Sequence, residues 1–245
     1  MNRDFYEANG YLTGIEITPP NEVEAIRAQF DRLEAEVGRD KARIGLLDRH
    51  FDTEFIWRLA ANPAVLDIVE ELIGANFHLL ATHFFCKYGK EEKFVAWHQD
   101  VTYWGLEPPT ALTVWYAIDD SDRENGCMRV LPGTHLGIRA HGKSAQEGNL
   151  LSINQEVPVT FEEEQSMVDL ELKAGQASIH DGALIHGSLP NRSDRRRCGL
   201  TLRYVPTSVR QKVTNSVGKR YTPVLVRGED HEKHFTLEPS PFPFP

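Results

Sequence analysis

The chain has 245 residues and no compositional break, so one domain spanning 1–245, with a substantial core, is expected. A formal charge of −9 and a pI near 5.6 argue against a nucleic-acid or anionic-membrane partner and leave a small molecule as the expected ligand. There is no apolar run of about eighteen residues, the N-terminus lacks the apolar stretch of a secretory signal, and three scattered cysteines form no CxxC; a reduced, cytoplasmic protein is the natural expectation.

Val23, Ile26, Phe30, Leu33 and Val37 recur at alternating intervals of three and four, which predicts an amphipathic helix. A second helical region is predicted from Thr53 to Ile73. Asp52 or Thr53 caps its start, Asn62-Pro63 restarts it, and Gly74 ends it. From Phe77 the pattern turns β-like. Residues 111–118, 128–131, 168–172, 177–180 and 199–205 are short, rich in strand formers and separated by Gly, Pro, Asn or Asp turns. Helices followed by strands predict a mainly β chain of α+β class, a sandwich or barrel with the helices packed on one sheet. Residues 137–166 are polar and weakly periodic, longer than most loops in compact domains, and are predicted to act as a lid. The Pro-rich tail 239–245 is predicted to be extended or flexible.

The chemistry concentrates in His98-Gln99-Asp100 and, far downstream, His186. Two imidazoles and one carboxylate are the ligand set of a non-haem Fe(II) centre that keeps coordination positions open. In a strand, residues i and i+2 point to the same side, so His98 and Asp100 can face one ion. An H-x-D pair alone is weak evidence, because ten histidines and a second pair, His50-Phe51-Asp52, are present. That second pair precedes a helical pattern and is better explained by capping. His180 rivals His186 as third ligand, but it stands before Asp181-Gly182, and a supporting or core role is the commoner fate of such a residue. His135 in Pro-Gly-Thr-His fits a turn.

Alternation places further side chains. Arg197, Gly199, Thr201 and Arg203 share one strand face; Thr113, Trp115 and Ala117 share another, opposite an apolar set. An arginine on a cavity-facing strand calls for an anionic partner, and guanidinium suits a carboxylate. An internal ion pair is the alternative for both Arg197 and Arg203. Arg192, Arg195 and Arg196 are expected on a solvated turn.

Three segments carry a family resemblance: Trp97–Asp100, Glu124–His135 (ENGCMRVLPGTH), and His186–Ser193 (HGSLPNRS) with Arg197 eleven residues after the histidine. Together they resemble the phytanoyl-CoA dioxygenase family of Fe(II)/2-oxoglutarate-dependent oxygenases, over about residues 5 to 210 and most strongly from 77 to 206. The resemblance implies a cupin-like double-stranded β-helix, or jelly roll. It implies His98, Asp100 and His186 as iron ligands, Arg197 and Ser188 on the distal carboxylate of 2-oxoglutarate, and Gln99 and Trp115 near the cosubstrate. It implies a dioxygenase that converts 2-oxoglutarate and O2 to succinate and CO2 while oxidising, most simply hydroxylating, a C–H bond. Desaturation, epoxidation or ring formation would use the same cofactors. Halogenases similar to this family replace the carboxylate ligand with Ala or Gly, so Asp100 argues against halogenation. Outside this class stand a 2-oxoglutarate-independent metal jelly roll, which would not need Arg197 and Ser188, and a non-catalytic one, which would be expected to have lost a ligand.

The substrate is the least legible feature. His83, Lys87, Tyr103 and Arg203 are the candidates to line its pocket, fitting a small, partly polar, anionic molecule. The family frequently continues Lys-Pro-Pro where this chain has Lys87-Tyr88-Gly89-Lys90, in a segment that tends to border the substrate.

Overall fold

A computed structural model describes residues 2–144, 146–151 and 153–245. The N-terminal part contains α1 (Arg3–Asn9), β1 (Tyr11–Glu16), α2 (Pro20–Val37), α3 (Arg39–Ile44), α4 (Glu54–Ala60) and α5 (Pro63–Ile73). The strands β2 (Phe77–Lys87), β3 (Val95–His98), β4 (Leu106–Glu107), β5 (Leu112–Ala117) and β6 (Met128–Val130) follow. After them come β7 (Gly142–Lys143), β8 (Gln155–Glu156), α6 (Phe161–Gln165), β9 (Val168–Leu170) and β10 (Gln176–Asp181). The chain closes with β11 (His186–Ser188), β12 (Arg197–Pro206), β13 (Arg210–Gln211) and β14 (Val224–Arg227).

The helices follow the apolar stripes. In α2, Phe30 and Leu33 are buried, and Ile26 and Val37 pack against the same core. Asn62 caps α5 through its side-chain oxygen, which accepts from the Ala64 N–H; Pro63 occupies the first turn, and Gly74 ends the helix at a φ of 92° that favours glycine. These helices cover the outer face of a six-stranded antiparallel sheet of order β1-β10-β5-β12-β2-β14. Behind its inner face lies a four-stranded antiparallel sheet, β3-β11-β6-β9. The result is a jelly roll. One core lies between helices and large sheet, and includes Leu112, Val114, Tyr116, Leu200 and Leu202; a smaller one lies between the sheets, around Trp115, Met128, Val130 and Leu184.

Several features depart from expectation. Strand β1, which the sequence pattern did not announce, forms an edge of the large sheet against β10, with a bulge between Leu12 and Ile15 that breaks the alternation a strand would show. Segment 137–166 is not a bare loop. It carries the β7–β8 hairpin and α6, the latter with a full capping box between Thr160 and Glu163; Ala145 and Ser152 of that segment lie outside the described residues. The tail is extended but docked: the Trp57 indole donates to the Pro243 carbonyl at 3.1 Å, and Phe244 meets the Trp57 ring edge-on. Burying those rings offsets the ordering of a proline-rich segment that already has little freedom.

Arg196 also differs from the solvated turn residue expected. Its guanidinium binds both oxygens of Asp119 (2.8 and 3.1 Å), reaches Asp31 and Glu34 on α2 at 2.7 and 3.1 Å, and stacks 4.9 Å from the Phe30 ring centre. It rivets α2 to the sheet. Arg195 does behave as expected, pairing at the surface with Asp122 and Glu124. Arg196→Ala is therefore expected to lower unfolding free energy by about 2–3 kcal/mol, below the figure for a fully buried pair because the site is partly wet, whereas Arg195→Ala stays within about 1 kcal/mol. Urea denaturation of the two variants measures both.

Candidate metal centre and its two cavities

Strand pairing brings the candidate ligands together. His186 lies directly opposite His98 in the β11–β3 register, and their ring centres are 4.1 Å apart. Strand β3 ends at His98, yet the Gln99 backbone stays extended (φ −120°, ψ 121°), so alternation carries over to Asp100 at the start of a short 3-10 turn. One donor atom from each of His98, Asp100 and His186 lies within 4.8 Å of the other two, and all three residues are buried. The hydrogen bonds suit a metal. His98 Nδ1 donates to the Ala96 carbonyl and His186 Nδ1 to the Leu184 carbonyl, both at 2.9 Å, which leaves each Nε2 lone pair free to ligate. Burial, with His98 and His180 alongside, holds the His186 imidazole well below its usual range, so it is neutral as a ligand must be. Burial pushes the Asp100 carboxyl up, but the Arg203 charge, His180 and His98 outweigh it and keep the group ionised. Its Oδ2 accepts from Thr113 at 3.2 Å.

His180 is close but differently placed. Its ring centre is 4.4 Å from that of His186, and its Nε2 lies 3.8 Å from Asp100 Oδ2, too far for a hydrogen bond. It lies beside the carboxylate, outside the three-residue donor cluster. His50 is buried beneath the large sheet, bonded to Thr82, and His135 caps a turn against the Glu7 carbonyl.

A narrow cavity runs from this cluster between the sheets. The histidines and Asp100 form one end, Trp115, Met128 and Phe85 line the walls, and Ser188 and Arg197 stand at the other end. Arg197 is buried, donates to the Gly126 carbonyl at 2.8 and 3.1 Å and to Ser188 Oγ at 3.3 Å, and lies over the Trp115 ring. No ion pair to a carboxylate forms at Arg197 among the described residues. Burial lowers the pKa of its guanidinium, the mark of a charge held away from water. Gly199 is required here: a Cβ would fall 1.9 Å from the Trp115 ring, so any larger residue would push that wall into the cavity.

Two sequence assignments move. Lys87, read from the sequence as a candidate substrate contact, is not among the residues lining the cavity that holds His83, Tyr103 and Arg203. Its Nζ is buried beside Arg197, donates to Ser188 Oγ at 2.6 Å and to the Leu189 carbonyl, and burial together with Arg197 pulls its ammonium well below the ordinary value. The β2–β12 register explains this, because Lys87 faces Arg197 directly. Gln99 points away from the cavity. Its amide donates to the Gly137 and Ala183 carbonyls and accepts from the Arg139 N–H, so it fastens the start of the 137–166 segment behind the ligands.

A second cavity, larger and open to solvent, meets the first at His98, Asp100, Phe85 and Arg203. His83, Tyr103 and Arg203, three of the residues read from the sequence as candidate substrate contacts, line it. Leu150 and Leu151 contribute from the 137–166 segment, and Asn215, Ser216, Val217 and Tyr221 from the stretch after β13. Those last residues were missed. Their stretch shows no periodicity, and only the fold returns it to the mouth of the site.

Comparison with known proteins agrees with this geometry. The family model described as phytanoyl-CoA dioxygenase (PhyH) matches residues 6–199. Human peroxisomal phytanoyl-CoA dioxygenase is 25% identical over 226 residues, covering 82% of this chain and 67% of that one. L-proline trans-4-hydroxylase of Streptomyces griseoviridis is 28% identical over 200 residues, covering 74% and 72%. The solved structure of CytC3 with Fe(II) and alpha-ketoglutarate superposes with a TM-score of 0.70 at 26% identity, covering 97% of this chain and 91% of that one.

Proposed function

The chain belongs to the phytanoyl-CoA dioxygenase family and is an Fe(II)/2-oxoglutarate-dependent oxygenase, and from that premise we propose that it hydroxylates a C–H bond of a small organic molecule. His98, Asp100 and His186 would hold the iron. When bound, iron with 2-oxoglutarate and O2 supplies the oxidising power to break an unactivated C–H bond, and 2-oxoglutarate leaves as succinate and CO2. Arg197 receives the distal carboxylate of 2-oxoglutarate, with Ser188 beside it. Lys87 holds the Ser188 hydroxyl in place. Trp115, kept upright by Gly199, walls the cosubstrate from water. Thr113 fixes one oxygen of Asp100, leaving the other turned toward His98 at 3.5 Å. Hydroxylation, rather than another outcome of the same chemistry, is supported by the hydroxylase among the relatives. Cytoplasmic placement is supported by three buried thiols, Cys86, Cys127 and Cys198, all free.

The observation that carries the reading is Arg197, a buried cation without an acidic partner among the described residues, at the far end of a cavity whose near end is a His-Asp-His cluster. The test is succinate formation from 2-oxoglutarate, dependent on Fe(II) and O2, screened over acids, phosphonates, amino acids and natural-product intermediates. A folded protein that forms no succinate under any of these conditions overturns it.

Residues 137–166 are proposed to close over the second cavity. Leu150 and Leu151 already form part of its wall, and Gln99, between two candidate ligands, holds Gly137 and Arg139 by hydrogen bonds. A shielded site protects a reactive centre from water. Amide hydrogen exchange in this segment is expected to slow when Fe(II), 2-oxoglutarate and substrate are all bound under anaerobic conditions. Equal protection with and without them would mark a fixed structural insertion.

A further inference from the structure

We propose that the substrate is a free carboxylic acid, anchored by Arg203 and Tyr103, and oxidised a few bonds from its carboxylate; the proposal rests on the oxygenase reading above. Arg203 is buried at the junction of the two cavities. Its Nε has no hydrogen-bond partner, and the nearest acid, Asp100 Oδ2, is 3.9 Å away. That carboxylate is a candidate metal ligand, and with iron bound its charge would be shared with that cation and would only partly neutralise the arginine. The Tyr103 hydroxyl is likewise buried without a partner, and lines the same second cavity. Two buried, unsatisfied polar groups around one space are costly unless a ligand satisfies them.

The chemistry of that ligand follows from the pair. The Arg203 guanidinium lies over the Trp104 ring, 5.1 Å from its centre, so its edge remains free for two parallel hydrogen bonds. That geometry matches a planar carboxylate, and Tyr103 can donate a further bond. A thioester or amide of the same skeleton brings no charge. Beyond the anchor the wall is apolar at Leu150, Leu151 and Val217, which suits an aliphatic or aromatic body. Because Arg203 sits next to Asp100, an acid held there presents to the metal a carbon close to its carboxylate.

The test uses the Zn(II)- and 2-oxoglutarate-loaded protein, so that Arg197 is already occupied and no turnover occurs. Hexanoate and 3-phenylpropanoate are titrated against hexanamide and 3-phenylpropanamide by ligand-observed NMR. The acids are expected to bind about tenfold or more tightly than the amides, the worth of a charge-assisted hydrogen bond. Arg203→Gln should collapse that ratio toward one, while Arg203→Lys keeps part of it. A purely structural Arg203 would weaken acids and amides alike. Amides binding as tightly as acids, no acid binding to the wild-type protein, or an unchanged ratio in Arg203→Gln each overturns the proposal. Succinate formation from 2-oxoglutarate alone, by the same wild-type preparation with Fe(II) and O2, reads the oxygenase chemistry separately. If that activity is present and acids are not preferred, only the acid anchor falls.

Discussion

Replacing His98, Asp100 or His186 by Ala is expected to abolish Fe(II)-dependent succinate formation in each case, with little change in thermal stability. The three side chains converge on one point, and each histidine is already oriented by a backbone carbonyl two residues upstream. Removing one therefore loses a donor atom that no other residue in the cluster replaces. Asp100→Ala should also weaken iron binding most sharply, because it deletes the sole negative charge of the set. His50→Ala is the internal control. It sits on the far side of the large sheet from the cavity, and should retain iron while losing some stability through its buried contact to Thr82. Anaerobic Fe(II) titration and thermal melts measure the two effects. His180→Ala is the sharper discriminator: retained iron affinity confirms the cluster, whereas loss equal to that of His186→Ala would make His180 the third ligand.

Arg197→Ala is expected to raise the 2-oxoglutarate requirement by roughly a hundred- to several-thousandfold, the equivalent of about 3–5 kcal/mol for breaking a buried charge pair. Arg195→Ala, whose charge is met at the surface by Asp122 and Glu124, should leave the requirement unchanged. Arg197→Lys tests the guanidinium itself. It loses the planar fork, and a second lysine beside the buried Lys87 would disfavour charge on either amine, so only partial recovery is expected. The measurement is the concentration of 2-oxoglutarate at half-maximal succinate formation. Similar losses in Arg195→Ala and Arg197→Ala would remove Arg197 from the cosubstrate site.

Much of this was legible because the signals are local. The α2 stripe, the Asn62-Pro63 restart and the β-like runs depend on near-neighbour periodicity and capping, and the structure follows them closely. Alternation likewise placed Arg197, Thr201, Arg203 and Trp115 on cavity-facing sides, because a strand leaves a side chain only two directions. Lys87 shows where that stops. Its strand face was visible, but the end of the site it serves depends on its pairing with Arg197 across β2 and β12. Gln99 is similar: a residue between two candidate ligands need not face the same way as they do, and its amide is taken up by backbone from two distant segments. Arg196 sits beside two other arginines in the chain, and only the packing of α2 against the sheet supplies the carboxylates that bury it.

The sequence by itself determined the main helices and strands, the His98 and Asp100 pair and, through the family resemblance, His186 and the cofactor chemistry the three suit, since residue identity and short spacing carry that information. The tertiary structure alone decided that His98 and His186 stand opposite one another, that His180 lies beside Asp100 but outside the donor cluster, and that Lys87 belongs with Arg197. It also decided that residues 215–221 close the mouth of the second cavity. The physical reason is the same throughout. Propensity and periodicity act over a few residues, whereas sheet register and loop return are set by which distant faces can be buried together.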